Sequence, residues 1–155
     1  MKSRRVLVAL AAVAALAAPV LVGPGYEPSQ LRMHSGAVWL TSGRAGEATL
    51  VDGTSAEVKT HVPVNGASVA LTVVQQGGDA FVLDKRTGVL NRVDGATEHV
   101  SPPVSVLPAG DGLVVLSSSN VVRVVDVRSG TVASVDPATL AAKGEPEHLA
   151  EAIKP

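Results

Sequence analysis

The sequence predicts an all-β chain of short, repeated strands behind an N-terminal apolar targeting helix. Three observations carry this. Valine is the dominant apolar residue from Gly36 to about Asp136, and β-branched side chains favour a pleated surface. Short apolar runs alternate there with Gly/Asp/Ser/Asn turns, without the 3.6-residue period of a helix. Similar segments also recur at intervals within the range expected of repeat folds.

The chain begins with Lys2, Arg4 and Arg5 ahead of an apolar run from Val6 to Val22, broken only by Pro19. Basic residues stay on the cytoplasmic side while such a run enters the membrane. The run is at the short end for spanning a ~30 Å hydrocarbon core. Ala15-Leu16-Ala17 offers an A-x-A cleavage site before Ala18. Residues 1–22 are therefore expected to be a cleaved signal peptide or a retained signal anchor. With no cysteine in the chain, a lipid-modified signal is excluded. Residues 23–35 read as a linker, because Gly23-Pro24-Gly25 and Glu27-Pro28-Ser29 propagate neither helix nor sheet. The expected location is extracytoplasmic, either secreted or anchored to the cytoplasmic membrane by the N-terminal segment.

Strands are expected at Ala37–Thr41, Ala48–Asp52, Glu57–Val64, Ser68–Val74, Ala80–Asp84, Val89–Val93, Leu113–Ser117, Val121–Val127 and Thr131–Val135. Asp52-Gly53 and Asp94-Gly95 supply a capping side chain and a residue free to take positive φ. Asp84 to Gly88 reads as a hairpin loop, and Ser119-Asn120 as a tighter one. The tail, 138–155, changes character. Ala138–Lys143 reads as a short helix stopped by Gly144, and Glu145–Ile153 as a second, with Pro146 at its first turn; the alternative is a frayed terminus.

Overlaying the segments aligns Leu40, Leu83 and Leu116, and with them Asp52, Asp94 and Asp126. A period of roughly 30–45 residues with about four short strands per unit is the signature of propeller blades. Val124-Val125-Asp126-Val127-Arg128-Ser129-Gly130-Thr131-Val132 resembles the strand–turn–strand of YVTN/NHL-like propeller repeats, and Val89 to Thr97 is a looser version. Pro108-Ala109-Gly110-Asp111-Gly112-Leu113 is similar to the start of such a blade. Over about residues 1–140, signal plus blades resembles the N-terminus of actinobacterial exported proteins that carry a propeller before fibronectin type III domains. The text from Ser35 to Ser42, Thr49 to Val58 and Val73 to Asp84 carries that likeness. The Gly-His and Trp-Asp dipeptides of WD repeats are missing. About three partial blades fit into 36–137, and the third is expected to lack its last strand. A closed propeller needs at least four. Either the sequence is the N-terminal part of a longer product, or the three groups close as a compact β-sandwich.

Composition bounds the chemistry. The 155 residues include no Cys, one each of Phe, Tyr and Trp, and a formal net charge of -1. That excludes thiolate metal sites and cysteine nucleophiles, and argues against a nucleic-acid surface. His34, His61, His99 and His148 show no HxH or HExxH spacing. Asp52, Asp94 and Asp126 read as turn caps, the competing reading being a carboxylate ring for a cation; no DxDxDG loop accompanies them. Ser117 to Ser119 lie in no GxSxG elbow. Gln75-Gln76-Gly77-Gly78 lacks the features of a phosphate loop. Trp39 reads as packing. No catalytic, cofactor-binding or metal-binding residue is assigned, and no cofactor is expected. The expected function is an exported, non-enzymatic interaction module with a protein or polysaccharide ligand. The alternatives are part of a lyase-like or quinoprotein-like propeller enzyme, or a membrane-anchored sensor or secretion accessory protein.

Overall fold

The computed structural model describes residues 36–64, 66, 68 and 70–149. The expected targeting segment and linker lie outside the described residues, as does the end of the tail. The described chain is all-β and forms three antiparallel meanders in sequence order. The first holds β1 (Ala37–Ser42), β2 (Glu47–Asp52) and β3 (Val58–Pro63). The second holds β4 (Leu71–Gln76), β5 (Asp79–Asp84), β6 (Val89–Val93) and β7 (Val104–Ser105). The third holds β8 (Leu113–Ser118), β9 (Val121–Asp126), β10 (Thr131–Val135) and β11 (Glu147–His148).

The nine expected strands form within three residues of their expected bounds. The tail departs from expectation. No helix forms in its described part. Leu140 takes φ +58°, and its N–H donates to the Asp136 carbonyl at 2.8 Å, closing a turn. Ala142 then bridges to Val135, and β11 pairs with β10. The open edge of β10 offers backbone partners that an exposed short helix would leave unused, and Leu140 is buried. The third sheet therefore has its fourth strand, and the first sheet is the three-stranded one.

The alignment of repeat markers is also corrected. Leu40 and Leu116 lie on first strands, but Leu83 lies on a second strand. Asp52 and Asp126 end second strands, whereas Asp94 follows the third strand of its sheet. The positional counterparts are Asp84 with Asp126 and Asp94 with Asp136, each pair 42 residues apart. The strands β4, β5 and β6 begin 42 residues before β8, β9 and β10. Val-rich strands resemble one another whatever their place in a sheet, so the sequence alone aligns a second strand with first strands.

The core is organised about the middle sheet. Residues 80 to 84 of β5 are all buried. Side chains alternate across a strand, so both faces of β5 are covered. Ala80 and Val82 pack with Trp39, Ala48 and Val62 of the first sheet. Phe81 and Leu83 pack with Leu113, Val115, Val122 and Val124 of the third. Fully burying a Phe, Val or Leu contributes roughly 1.5–3 kcal/mol each. The outer sheets bury one face. On β1, Trp39 is buried while Val38 and Leu40 are 42% and 49% exposed; on β8, Leu113 and Val115 are buried while Leu116 is 53% exposed.

The two sheet contacts differ in direction. The Gln75 side chain, near the end of β4, accepts from Trp39 N–H at 3.1 Å and donates to the Ala37 carbonyl at 3.1 Å, near the start of β1. Thr41, late in β1, instead reaches Leu71, at the start of β4. Thus β1 and β4 run in opposite directions. At the other contact, Ser117 hydroxyl donates to the Gln75 carbonyl at 3.3 Å, and Gln76 donates to the Ser119 carbonyl at 3.1 Å. Late residues meet late residues, so β4 and β8 run the same way.

Truncating one β-face residue at a time should separate the middle sheet from the outer ones. Leu83→Ala is expected to lose about 2–5 kcal/mol through the cavity it leaves. Leu116→Ala, on an exposed face, is expected to stay within about 0.5 kcal/mol. Urea denaturation of the two variants checks this, and equal losses would contradict the burial pattern.

Candidate binding clefts

Five turns share one construction. They begin at Asp52, Asp84, Asp94, Asp126 and Asp136. In each, the carboxylate Oδ1 accepts the N–H two residues on, at 2.9–3.0 Å. In each, the aspartate carbonyl accepts the N–H four residues on, at 2.8 Å. That fourth residue always has positive φ: Ala56 57°, Gly88 72°, Glu98 59°, Gly130 70° and Leu140 58°. Only two of the five are glycine, although the left-handed region costs other residues about 1–2 kcal/mol. The two aspartate-anchored bonds hold the strained residue in place. At Gly88 the requirement for glycine is doubled, since an added Cβ would fall 1.9 Å from the Leu107 carbonyl oxygen.

Four of these carboxylates, those of Asp52, Asp94, Asp126 and Asp136, are held ionised by their partners. Asp52 is lowered well below the usual carboxylate range, first by the Thr54 hydroxyl and then by Lys59, whose ammonium is 2.9 Å away. Asp94 is lowered chiefly by the backbone N–H and the hydroxyl of Thr97. Asp126 is lowered chiefly by the Ser129 hydroxyl, and Asp136 by Lys143. The aspartates named from the sequence thus act as turn caps. Among the described residues, no group of three or more His, Asp or Glu side chains is placed to hold a metal ion.

The other sequence candidates are dispersed. His61 on β3 lies 3.1 Å from Glu47 and 3.2 Å from Thr49. His99 follows the Asp94 turn, and its carbonyl accepts the Asp94 N–H at 2.9 Å; His148 lies on β11. His34 falls outside the described residues. Trp39 is 2% exposed and gives its indole N–H to the Gly78 carbonyl at 2.8 Å. Ser117 joins β8 to β4. Gly77 and Gly78 make the tight turn between β4 and β5.

The sequence reading missed two clefts, one at the second-to-third-strand turn of the middle sheet and one at that of the last. The middle-sheet cleft, about 580 Å³, is lined by Asp84, Arg86, Thr87 and Val89, by Pro103 ahead of β7, and by Ser68 from the connector before β4. Asp84 is buried there and accepts the Ser68 hydroxyl at 2.8 Å. The third-sheet cleft, about 410 Å³, is lined by Asp126, Ser129 and Thr131, by Pro146 and His148, and by Leu107 to Ala109 from the connector before β8. Asp84, Thr87 and Val89 stand 42 residues before Asp126, Ser129 and Thr131. The same corner is thus built twice, each time walled by the connector arriving from the preceding sheet. A signal was present: Asp84-x-Arg86-Thr87-Gly88 and Asp126-x-Arg128-Ser129-Gly130 share both pattern and 42-residue spacing.

No protein-family model matches the chain, and no curated protein matches it.

The lowered carboxylates fix a pH dependence. A carboxylate whose folded pKa is depressed contributes stability that is present above its unfolded value, near 3.9, and is lost as pH falls through the folded value. Melting temperature is expected to be flat from neutral pH down to about 5 and to fall below about 4. Asp52→Asn keeps an oxygen for the Thr54 N–H but cannot titrate, so its fall should be shallower. Calorimetry across that range checks this; an unchanged slope would contradict it.

Proposed function

We propose that this chain is an exported, non-enzymatic interaction module, and that the two clefts are its binding surface. The observation that carries the reading is the recurrence of one cleft, built from equivalent residues, at one corner of successive sheets. Loops and connectors displayed on a rigid sheet scaffold are where binding residues concentrate. Repetition of a site also suits a ligand with repeating units, because linked sites raise avidity without new contacts. The non-enzymatic part rests on how the carboxylates are used. Asp52, Asp94, Asp126 and Asp136 are engaged by turn N–H and hydroxyl groups or by lysine. A general acid needs a raised pKa and a free proton, and these groups are pushed the other way. Export rests on Lys2, Arg4 and Arg5 ahead of the Val6–Val22 run.

The parallel β4–β8 contact and the 42-residue offset support a propeller-type relation between the second and third sheets. The antiparallel β1–β4 contact supports sandwich-type packing for the first. We read the fold as a propeller-type pair with a reversed sheet laid on its open face.

Export is tested by fusing β-lactamase to the C-terminus of the full chain, since the enzyme protects a bacterial host only from outside the cytoplasm. The fusion should confer ampicillin resistance, and deletion of residues 1–22 should abolish it. Sensitivity of cells that accumulate the intact fusion would refute the export reading. The binding reading expects the exported chain, in a detergent that dissolves the membrane, to co-sediment with the insoluble envelope, and full recovery in the supernatant would refute it.

A further inference from the structure

The two clefts differ in the residues that decide what enters them. Where the middle sheet carries Val89, the third carries Thr131. Where β7 carries Ser105, β11 lays His148 across the opening, paired to Thr131. The result is a row of polar groups. His148 Nδ1 lies 3.1 Å from Thr131 Oγ1. Thr131 Oγ1 lies 2.9 Å from Ser129 Oγ. Ser129 Oγ lies 2.8 Å from Asp126 Oδ2.

Proton counting orients the row. A hydroxyl has one proton. Asp126 is ionised, so Ser129 gives its proton to the carboxylate. Thr131 must then supply the proton between itself and Ser129, and His148 Nδ1–H supplies the one to Thr131. Leu107, Pro108 and Pro146 give the cleft its apolar wall.

Chemistry narrows the ligand. An anion would meet the ionised Asp126, with no lysine or arginine among the described residues that line the cleft. A metal ion would find one carboxylate whose two oxygens already accept from Arg128 N–H and the Ser129 hydroxyl. A wholly apolar ligand would cover the lone pairs that the row leaves open and offer them no donor. A neutral polyhydroxylated ring fits: its hydroxyls donate to the lone pairs the row leaves open, and its C–H face packs on proline. A cleft of this size is at the low end of small-molecule sites, roughly 300–1,000 Å³. Resting on the binding-module reading above, we propose that the third-sheet cleft binds a sugar unit of a glycan, with Thr131, Ser129, Asp126 and His148 contacting its hydroxyls.

The test is amide chemical-shift mapping on the full-length, ¹⁵N-labelled chain in a detergent without a sugar headgroup. The probes are cellobiose, chitobiose and mannobiose at millimolar concentration, with calcium chloride and methylammonium chloride as controls. The expected result is saturable shifts for at least one disaccharide at Ser129, Thr131, His148 and Leu107. Thr131→Val should weaken that binding by roughly 3–10-fold, the loss of one neutral hydrogen bond. The middle sheet already accepts valine at this position, and an unchanged spectrum elsewhere verifies folding. No disaccharide response, shifts mapping elsewhere, an unaffected Thr131→Val variant, or a response only to calcium or methylammonium would each overturn the proposal. Export and envelope binding would survive such a failure, so the two readings fail separately.

Discussion

A strand has two faces, and β5 buries both. Ala80 and Val82 look toward the first sheet, Phe81 and Leu83 toward the third. That double burial joins three short meanders into one packed unit. None of the three could supply it alone, since a sheet with one apolar face and no cover exposes that face to water. The demand falls hardest on the middle sheet because the chain has few large side chains. Its only Phe is Phe81 and its only Trp is Trp39, and they sit on opposite sides of this sheet. Gln75 adds a polar clasp, holding β1 with its side-chain amide and β8 with its carbonyl.

The aspartate turns set what lies at the sheet ends. A loop with an anchored start and a left-handed fourth residue leaves little conformational choice, so strand register follows from the turn. The Gly88 approach to Leu107 shows the same constraint acting between sheets. The connector before β8 passes close over the second sheet's turn and then walls the cleft at the third. Packing and candidate site are consequences of one arrangement: sheets stacked face to face, with every sheet-to-sheet connection crossing an aspartate turn.

Much of the strand content was legible because valine runs and Asp/Gly turns are local signals. The sheet partners of those strands were not. Leu83 and Leu116 look alike in sequence, yet one is buried on a second strand and the other half exposed on a first. Strand order in a sheet depends on which edge the next segment meets, which is not a local property. The tail misled for a related reason. Ala138 to Lys143 has helix-forming composition, but the free edge of β10 and a pocket for Leu140 outweigh propensity there. At the candidate site, the aspartates and His148 were visible, but their roles were not. The hydroxyl row needs β11 beside β10, and the sequence gives no hint of a two-residue strand. The antiparallel contact of β1 with β4 is made by the side chains of Gln75 and Thr41. Neither leaves a periodic signature.

The second sheet is the doubly covered layer on which the other two depend. Native-state hydrogen exchange tests it most directly, because amides that open only with global unfolding exchange last. The β5 amides, those of Val82 and Leu83 among them, are expected to exchange at the global rate, while amides of β1 and of β11 exchange sooner through partial opening. Exchange of the β5 amides as fast as those of β1 or β11 would contradict it.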